Sequence, residues 1–298
     1  MHVNETCVQE TSSSCCCISK LEGTINVNQI ARMSDRKKVL MLHGFVQSDR
    51  IFSAKTGGLR KNLKKLGYDL CYPCAPHSID KKALFQSEAE KGIDAAKEFS
   101  TSATSDEVYG WFFRKPDSFN SFEIDQKVLS YLHDYVLEHG PFDGIIGFSQ
   151  GAGLGGYLVT DINRILNLTE EQQPALKFFI SFSGFKLEDE TYQESYNKPI
   201  QVPSLHVRGE LDAVVGESRV LALYDAWPKN KKTLLIHPGA HFIPNSKPFV
   251  SQVCNWIQGT INKENQEQED QPETEQKQFD KPQLDDDLLD MINSLGKL

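Results

Sequence analysis

The 298-residue sequence lacks any run of about 18 apolar residues, the length that a membrane-crossing helix needs. Its first residues also lack a basic segment followed by an apolar one, so we predict no secretory signal. Cysteine is scarce in the globular part of the chain. Four of the seven cysteines lie within the first 17 residues, and only Cys71, Cys74 and Cys254 lie beyond them. Three scattered thiols cannot build a disulfide framework, and we therefore predict a reducing compartment, the cytoplasm.

Two short cysteine patterns do not change this prediction. Cys71 and Cys74 have the C-x-x-C spacing of redox sites and half-zinc sites, but no second Cys/His pair accompanies them. We interpret them as two cysteines at the edge of a loop. The three cysteines at 15–17 are open to acylation or metal binding, and we interpret them as part of a disordered polar segment. We therefore predict no metal and no cofactor.

A cluster of positive charge is also missing. The formal net charge is −9, and the segment 263–298 alone carries eleven Asp or Glu and four Lys. The acidity therefore belongs to the tail, and the remainder of the chain is close to neutral. Nucleic-acid binding has no basic patch to support it.

Composition divides the chain into three parts. Residues 1–37 have no hydrophobic period, so we predict disorder and interpret Met33 as the native initiator. Residues 38–262 alternate apolar runs with amphipathic segments, which predicts an α/β domain with a mostly parallel sheet and helices on both faces. Residues 263–298 predict a disordered acidic tail that ends in a short amphipathic helix over 284–295. That helix either binds a protein partner or packs back on the domain, and the sequence leaves both open.

The strongest motif is Gly147-Phe148-Ser149-Gln150-Gly151, which has the pattern Gly-x-Ser-x-Gly. An apolar run typical of a buried strand precedes it, and a small-residue segment that can open a helix follows it. Strand, serine and glycine-lined helix form the nucleophile elbow of an α/β-hydrolase, in which the serine occupies a strained turn. A Cβ at either flanking glycine would collide with the neighbouring strand or helix. This context favours Ser149 as a nucleophile over a structural Gly-Ser turn.

A serine hydroxyl needs a neighbouring imidazole as base and a carboxylate that orients the imidazole. In this fold both follow the serine along the chain, acid first, on loops at the carboxyl ends of strands. Asp212 and His241 meet that order and position, with Glu210 and His237 as the rival acid and base. Glu210 lies close to its strand, and the proline after His237 holds that residue against its strand end. We therefore predict a catalytic triad of Ser149, Asp212 and His241.

The first predicted strand, 39–42, ends in His43-Gly44-Phe45. In hydrolases of this type, the loop after an early strand supplies one backbone N–H to the oxyanion hole. We predict that the Phe45 N–H and the Gln150 N–H, next to the nucleophile, are the two donors.

Residues 77–121 form a long insertion without a regular period until an aromatic cluster at 109–113. Structureless segments of this length are usually functional. We predict that Trp111, Phe112 and Phe113 form a substrate-binding site for an apolar group. The alternative, which the sequence leaves open, is that the cluster anchors the insertion to the core.

Three segments, 38–47, 140–151 and 237–245, resemble a known family. They are similar to the fungal family of serine hydrolases, which an animal ovarian-cancer-associated hydrolase shares, and the resemblance runs from about Met33 to the end of the chain. It implies an α/β-hydrolase whose catalytic residues match the predicted triad. It also implies esterase or thioesterase chemistry on acyl substrates.

These observations predict a cytoplasmic serine hydrolase that cleaves a carboxylic ester or thioester of a small acyl substrate through an acyl-enzyme. The alternative is a catalytically minor ligand-binding or interaction protein that acts through its acidic C-terminal tail. A protein of that kind is expected to have lost a triad member, and none of the three is missing here.

Overall fold

The computed structural model of the protein describes residues 36–84, 107–115 and 121–269. Most of the predicted N-terminal segment, the middle of the insertion and the predicted helix over 284–295 lie outside the described residues. The predictions of disorder and of a partner for the tail therefore stay predictions.

Strands and helices alternate along the described residues. The strands are β1 (Lys37–Leu42), β2 (Tyr68–Cys71), β3 (His77–Ile79), β4 (Val108–Gly110), β5 (Phe113–Arg114), β6 (Phe122–Glu123), β7 (Gly144–Phe148), β8 (Phe178–Phe182), β9 (Ser204–Gly209) and β10 (Lys232–His237). The helices are α1 (Asp49–Lys55), α2 (Gly57–Lys65), α3 (Gln126–His139), α4 (Gln150–Leu158), α5 (Ile162–Leu166), α6 (Glu190–Tyr196), α7 (Glu217–Tyr224) and α8 (Lys247–Glu269).

The central sheet has the strand order β10-β9-β8-β7-β1-β2, and every neighbouring pair is parallel. Its inner strands are continuous apolar runs because both faces are covered, and β7 and β8 are buried at every position. The direction of winding reverses between β1 and β7, since β1 leads to β2 on one side and β7 to β8 on the other. The loops after β1 and β7 diverge there, which opens the crevice where open α/β sheets bind ligands.

The two faces of the sheet bury two apolar clusters. Successive side chains of a strand point to opposite faces, so Leu40 and Leu42 join one cluster and Val39 and Met41 join the other. Helices α3 to α7 cover the first face, and α1, α2 and α8 cover the second. The predicted parallel sheet with helices on both faces is confirmed.

The ends of the insertion are more regular than predicted. β3 pairs with β4 and β5 pairs with β6, each in an antiparallel ladder. These strands have only two or three residues, too few for a hydrophobic period to show in the sequence. The helix predicted from Phe122 begins only at Gln126, because the Asp125 side chain caps it by accepting the Val128 N–H.

The last helix is longer than predicted. α8 runs to Glu269, so residues 263–269, predicted as the start of the disordered tail, are helical. Lys, Glu and Gln are strong helix formers and continue the helix after the buried Ile261. In the part of the chain that the structure describes, no helix combines the length and the apolar character that crossing a membrane requires.

His206 is buried in β9 within the core. Its Nε2 lies 3.0 Å from Ser204 Oγ, and its Nδ1 has no hydrogen-bond partner among the described residues. Its ring packs edge-on against Phe179 and Trp227. Burial, with a smaller contribution from the charge of Lys232, lowers its pKa from 6.5 to about 3.

The neutral, buried His206 is expected to make the fold less stable in mild acid. The unfolded chain binds a proton at this residue near pH 6.5, whereas the folded protein does so only near pH 3. This contribution to stability is therefore complete above pH 6.5 and is lost as the pH falls, by ~3 kcal/mol at about pH 4. Denaturant unfolding across this range checks the prediction. The variant His206→Leu should show a shallower pH dependence than the wild type, and parallel curves would contradict it.

Candidate active site

Ser149 lies between β7 and α4 with φ 52° and ψ −115°. A positive φ is strained for a residue other than glycine. Two backbone hydrogen bonds hold the turn: the Ser149 N–H donates to Phe182 O at 2.8 Å, and the Gly153 N–H donates to Ser149 O at 2.9 Å. The strand, strained serine and helix predicted from the motif are present.

The glycines on either side are required by close packing. A Cβ at Gly147 would lie 2.5 Å from the Ala152 Cα, and a Cβ at Gly151 would overlap the carbonyl oxygens of Leu42 and His43. These obstacles are backbone atoms of the following helix and of the end of β1, which cannot rotate away as a side chain can. The predicted collision is confirmed at both positions.

Asp212 and His241 form a close pair, with His241 Nδ1 2.8 Å from Asp212 Oδ2. The other carboxylate oxygen accepts the N–H groups of Val214 and Val215 at 3.0 and 2.9 Å. Burial alone would raise the pKa of Asp212. The hydrogen bond and charge of His241, the Val215 N–H and the Ser183 hydroxyl together outweigh burial and hold the pKa below its ordinary value. Asp212 is therefore a carboxylate at neutral pH and can orient the imidazole.

The His241 ring lies beside the elbow. Its centroid is 4.8 Å from that of Phe148, the residue directly before Ser149. Since Nδ1 is engaged by Asp212, Nε2 is the nitrogen that remains to accept a proton. Such an arrangement can activate a hydroxyl group next to it.

The rival base and acid are placed differently. The His237 ring packs against two phenylalanine rings, its Nδ1 accepts the Gly239 N–H at 3.2 Å, and its Nε2 has no hydrogen-bond partner in the described ranges. Burial lowers the pKa of His237. Glu210 is exposed, whereas the Asp212 side chain is only 2% exposed and bonded to His241. The geometry favours the predicted pair over its rivals.

The loop after β1 is held in one conformation. The Ala75 N–H donates to His43 Nε2 at 3.0 Å, so His43 Nδ1 carries the proton and donates to Gly44 O at 2.8 Å. Burial lowers the pKa of His43 to about 4 and keeps the ring neutral. Val46 has φ 58°, which is strained for a β-branched residue. The predicted oxyanion donor Phe45 lies within this rigid loop.

The two predicted oxyanion donors lie in segments that begin at neighbouring points of the sheet, the loop after β1 and the start of α4. Leu42 pairs with Gly147 in the parallel ladder between β1 and β7, so both segments start at the same edge of the sheet. Gln150 is the first residue of α4, and the first N–H groups of a helix have no acceptor within the helix.

The Gln150 side chain bridges the elbow and the insertion. Its Oε1 accepts the Trp111 N–H at 2.7 Å, and its Nε2 donates to Phe112 O at 2.6 Å. The Trp111 indole N–H donates to His43 O at 2.9 Å. We call the two hydrogen bonds of the Gln150 side chain, together with the bond from Trp111 to His43, the Gln150 bridge. No local sequence pattern signals them, because they join residues more than 35 positions apart.

The aromatic cluster of the insertion divides into two parts. Trp111 and Phe112 are fully buried in the core, and no substrate can reach them in this structure. The prediction that they line a substrate site is therefore wrong, and they act as the anchor that the sequence left open. Phe113 is 45% exposed and packs edge-on against Phe45, with ring centroids 6.1 Å apart.

Exposed apolar residues lie next to the paired residues along the chain and on the loop after β1. Leu211 is 70% exposed and Phe242 is 49% exposed, and they are the chain neighbours of the paired aspartate and histidine. Phe113 packs on the loop after β1. We call Phe113, Leu211 and Phe242 the apolar rim. The sequence did not predict Leu211 and Phe242 as site residues, because exposure depends on how the loops fold.

Ser183 was also missed. It follows β8 with φ 49°, its N–H donates to Val207 O at 2.8 Å, and its hydroxyl lowers the pKa of Asp212. The only sequence signal for Ser183 was a serine followed by a glycine at the end of a predicted buried strand. Because the same two residues are common in ordinary turns, this signal did not indicate a site residue.

The described residues contain no group of three His, Cys, Asp or Glu side chains that could hold a metal ion. Cys71 and Cys74 are free and half-buried. Burial raises the pKa of both thiols, that of Cys74 to about 11, so neither is an activated thiolate.

Comparison with known proteins identifies the family. A family profile described as "Serine hydrolase (FSH1)" matches residues 33–253. The chain is 82% identical over 266 residues to Family of serine hydrolases 3 of Saccharomyces cerevisiae, covering 89% of this chain and 100% of the yeast protein. It is 35% identical over 222 residues to Esterase OVCA2 of Xenopus tropicalis, covering 71% and 87% of the two chains.

Among solved structures, acyl-protein thioesterase 2 of Zea mays matches with a TM-score of 0.51 and 18% identity, covering 76% of this chain and 94% of the maize chain. That likeness concerns the fold, which is the predicted α/β-hydrolase fold. The sequence comparisons concern the activity, and they show that this chain is an enzyme of the FSH1 family of serine hydrolases.

Proposed function

We propose that the enzyme cleaves carboxylic esters or thioesters of acyl groups through an acyl-enzyme formed on Ser149. One observation carries this proposal: the Asp212–His241 pair, joined at 2.8 Å, lies with its imidazole 4.8 Å from the ring of Phe148, next to the strained serine. Esterase relatives support the same class of reaction.

In the proposed mechanism, His241 takes the proton of the Ser149 hydroxyl as its oxygen attacks the substrate carbonyl. The N–H groups of Phe45 and Gln150 stabilise the negative oxygen of the tetrahedral intermediate. His241 then protonates the leaving alcohol or thiol, and the acyl group stays on the serine. Water, activated by the same imidazole, releases the acid. Asp212 remains ionised throughout and stabilises the imidazolium form.

We assign the acyl group to the apolar rim. A buried methylene stabilises binding by about 0.8 kcal/mol, so four more carbons add up to roughly 3 kcal/mol, or on the order of a hundredfold in kcat/KM, when they are fully covered. An open surface covers them in part, and we expect a rise of about tenfold or more from acetyl to hexanoyl substrates.

The test of this function is a series of p-nitrophenyl esters from acetate to octanoate, with the matching thioesters of N-acetylcysteamine. We expect saturable turnover that increases with chain length, and a flatter dependence in Leu211→Ala and Phe242→Ala. Leu137→Ala is the matched control, because Leu137 is an exposed apolar residue on α3.

Two results would count against the proposal in different ways. Failure of the folded protein to hydrolyse any ester or thioester of the series would reject the function. A flat chain-length dependence, or equal flattening in the Leu137→Ala control, would leave the function standing and remove the apolar rim from it.

A further inference from the structure

Gln47 is a buried polar residue that the proposed mechanism does not use. It is 5% exposed and lies in the loop after β1, two positions beyond Phe45. We call residues 43–47 the oxyanion loop. The Gln47 Oε1 accepts the Gly44 N–H at 3.3 Å, so the side chain folds back over the two residues between them. A buried backbone N–H without an acceptor is destabilising, and the Gln47 amide therefore satisfies the start of its own loop.

Gly44 lies against the elbow. A Cβ added to Gly44 would lie 2.9 Å from a ring carbon of Phe148, the residue directly before Ser149. It would also lie 3.5 Å from the side-chain amide carbon of Gln47. The centroid of the same Phe148 ring is 4.8 Å from that of the His241 imidazole. The hydrogen bond from Gly44 to Gln47 is therefore one side chain away from the proposed base.

The main chain of Gln47 is held by the insertion. Its C=O accepts the Tyr109 N–H at 2.7 Å, and the two residues form an isolated antiparallel bridge. The Phe45 ring packs on the same strand, β4, since a Cβ on Gly110 would lie 2.9 Å from it. Gln47 thus joins the oxyanion loop to the insertion through its main chain, while its side chain fixes the start of the loop.

The oxyanion loop needs such restraints because it contains a strained residue. Val46, between Phe45 and Gln47, is buried and has φ 58°, which is unfavourable for a β-branched side chain. Backbone strain of this kind persists only where the surrounding contacts over-determine the conformation. Without the Gln47 side chain we expect the loop to relax around Val46, so that the direction of the Phe45 N–H is no longer fixed.

We propose that Gln47 is a positioning residue for the oxyanion hole, and that its side chain keeps the Phe45 N–H aimed at the substrate oxygen as that oxygen becomes negative. This inference rests on the proposed function and adds a residue on which the rate depends. An oxyanion donor is effective only at about 2.7–3.1 Å from the oxygen, so a small displacement removes much of its effect. Gln47 acts through Gly44 and not on the substrate itself.

The test compares variants of two buried glutamines. Gln47→Met keeps the length of the side chain and removes the oxygen that accepts the Gly44 N–H. Gln173→Met is the matched control, because Gln173 is also buried and its Oε1 accepts the Phe142 N–H at 2.9 Å. Phe142 precedes β7 and Gln173 precedes β8, so both lie at the edge of the sheet opposite the site. Both variants should lose stability, which thermal unfolding measures, and only Gln47→Met should affect catalysis.

Gln47→Met is expected to lower kcat for p-nitrophenyl hexanoate by about 10- to 100-fold, less than the loss of about 10²–10³-fold when an oxyanion donor is removed outright. KM should stay within about threefold of the wild-type value, because acylation and deacylation both pass through a tetrahedral oxyanion and slow together. The Ki of a trifluoromethyl ketone, which forms a similar oxyanion on the serine, should rise by about the same factor as kcat/KM falls. Gln173→Met should keep kcat within about twofold of the wild-type value.

Three results would overturn the inference: a wild-type kcat in Gln47→Met, a change confined to KM, or an equal loss of kcat in Gln173→Met. Ester turnover by the wild type tests the proposed function separately. If the wild type turns over no ester, the function fails. If Gln47→Met matches an active wild type, only Gln47 is removed from the mechanism.

A second variant and a measurement on the wild type give results even when Gln47→Met does not fold. Gln47→Asn keeps an amide but is one methylene shorter, which draws its oxygen away from the Gly44 N–H, so the same fall in kcat is expected. In the wild type, the Gly44 amide should exchange its hydrogen at least about a hundredfold more slowly than an unstructured amide, because the loop has to open first. Exchange at the unstructured rate would contradict the restraint on which the inference depends and overturn it.

Discussion

Ser149→Ala is expected to lower kcat for ester hydrolysis on the order of 10⁵–10⁶-fold and to abolish labelling by a fluorophosphonate probe. Without the hydroxyl there is no acyl-enzyme, and only binding and oxyanion stabilisation remain. The fold should survive, because alanine is smaller than serine and keeps both backbone hydrogen bonds of the turn. Steady-state kinetics and mass spectrometry of the labelled peptide measure the two effects.

The matched control for this variant is Ser181→Ala. Ser181 is a buried serine on the neighbouring strand β8, and its hydroxyl has no hydrogen-bond partner among the described residues. It should keep wild-type labelling and most of the turnover. Probe attachment that persists in Ser149→Ala, on any other residue, would reject Ser149 as the nucleophile.

His241→Ala is expected to lower kcat on the order of 10⁴–10⁶-fold, whereas His237→Ala should keep a sizeable part of the activity. The two histidines lie four residues apart, yet only His241 is bonded to the Asp212 carboxylate. His237 fills space against two phenylalanine rings, so its removal should act on stability.

Kinetics and thermal unfolding of both histidine variants separate these effects. His241→Ala should lower kcat without unfolding the protein, with some loss of stability because its side chain is only 14% exposed and its removal leaves the buried Asp212 carboxylate with one hydrogen bond fewer. An equal collapse of activity in both variants, with both folds intact, would refute the assignment of His241 as the base.

The sequence predicted the elbow well because a sharp turn between a buried strand and a helix leaves no room for a side chain on either side of the serine. Gly147 faces the helix that starts three residues later, and Gly151 faces the end of β1, the strand that pairs with β7. The parallel sheet was also predictable, because strands buried on both faces are uninterrupted apolar runs. Asp212 and His241 could be chosen over Glu210 and His237 from the length of loop between each residue and its strand.

The errors concern contacts that no local pattern records. Trp111 and Phe112 have the composition of an apolar pocket, and their burial follows from partners on distant elements such as His43 and Gln150. Phe113 is exposed although it continues the same aromatic run. The extra turns of α8 follow from helix propensity in a segment that was judged by hydrophobic period alone.

The Gln150 bridge has a consequence for protein engineering. A designer who transplants the insertion of a related enzyme onto this scaffold also replaces the backbone groups that Gln150 satisfies. A mismatch would leave the Trp111 N–H and the Phe112 C=O buried without partners, at about 1–3 kcal/mol each. The misplaced loop would also remove the contact with His43, which lies in the same loop after β1 as Phe45. The insertion is therefore not an interchangeable module: a graft has to include position 150 and the loop after β1, so a new substrate preference has to be transferred together with part of the catalytic centre.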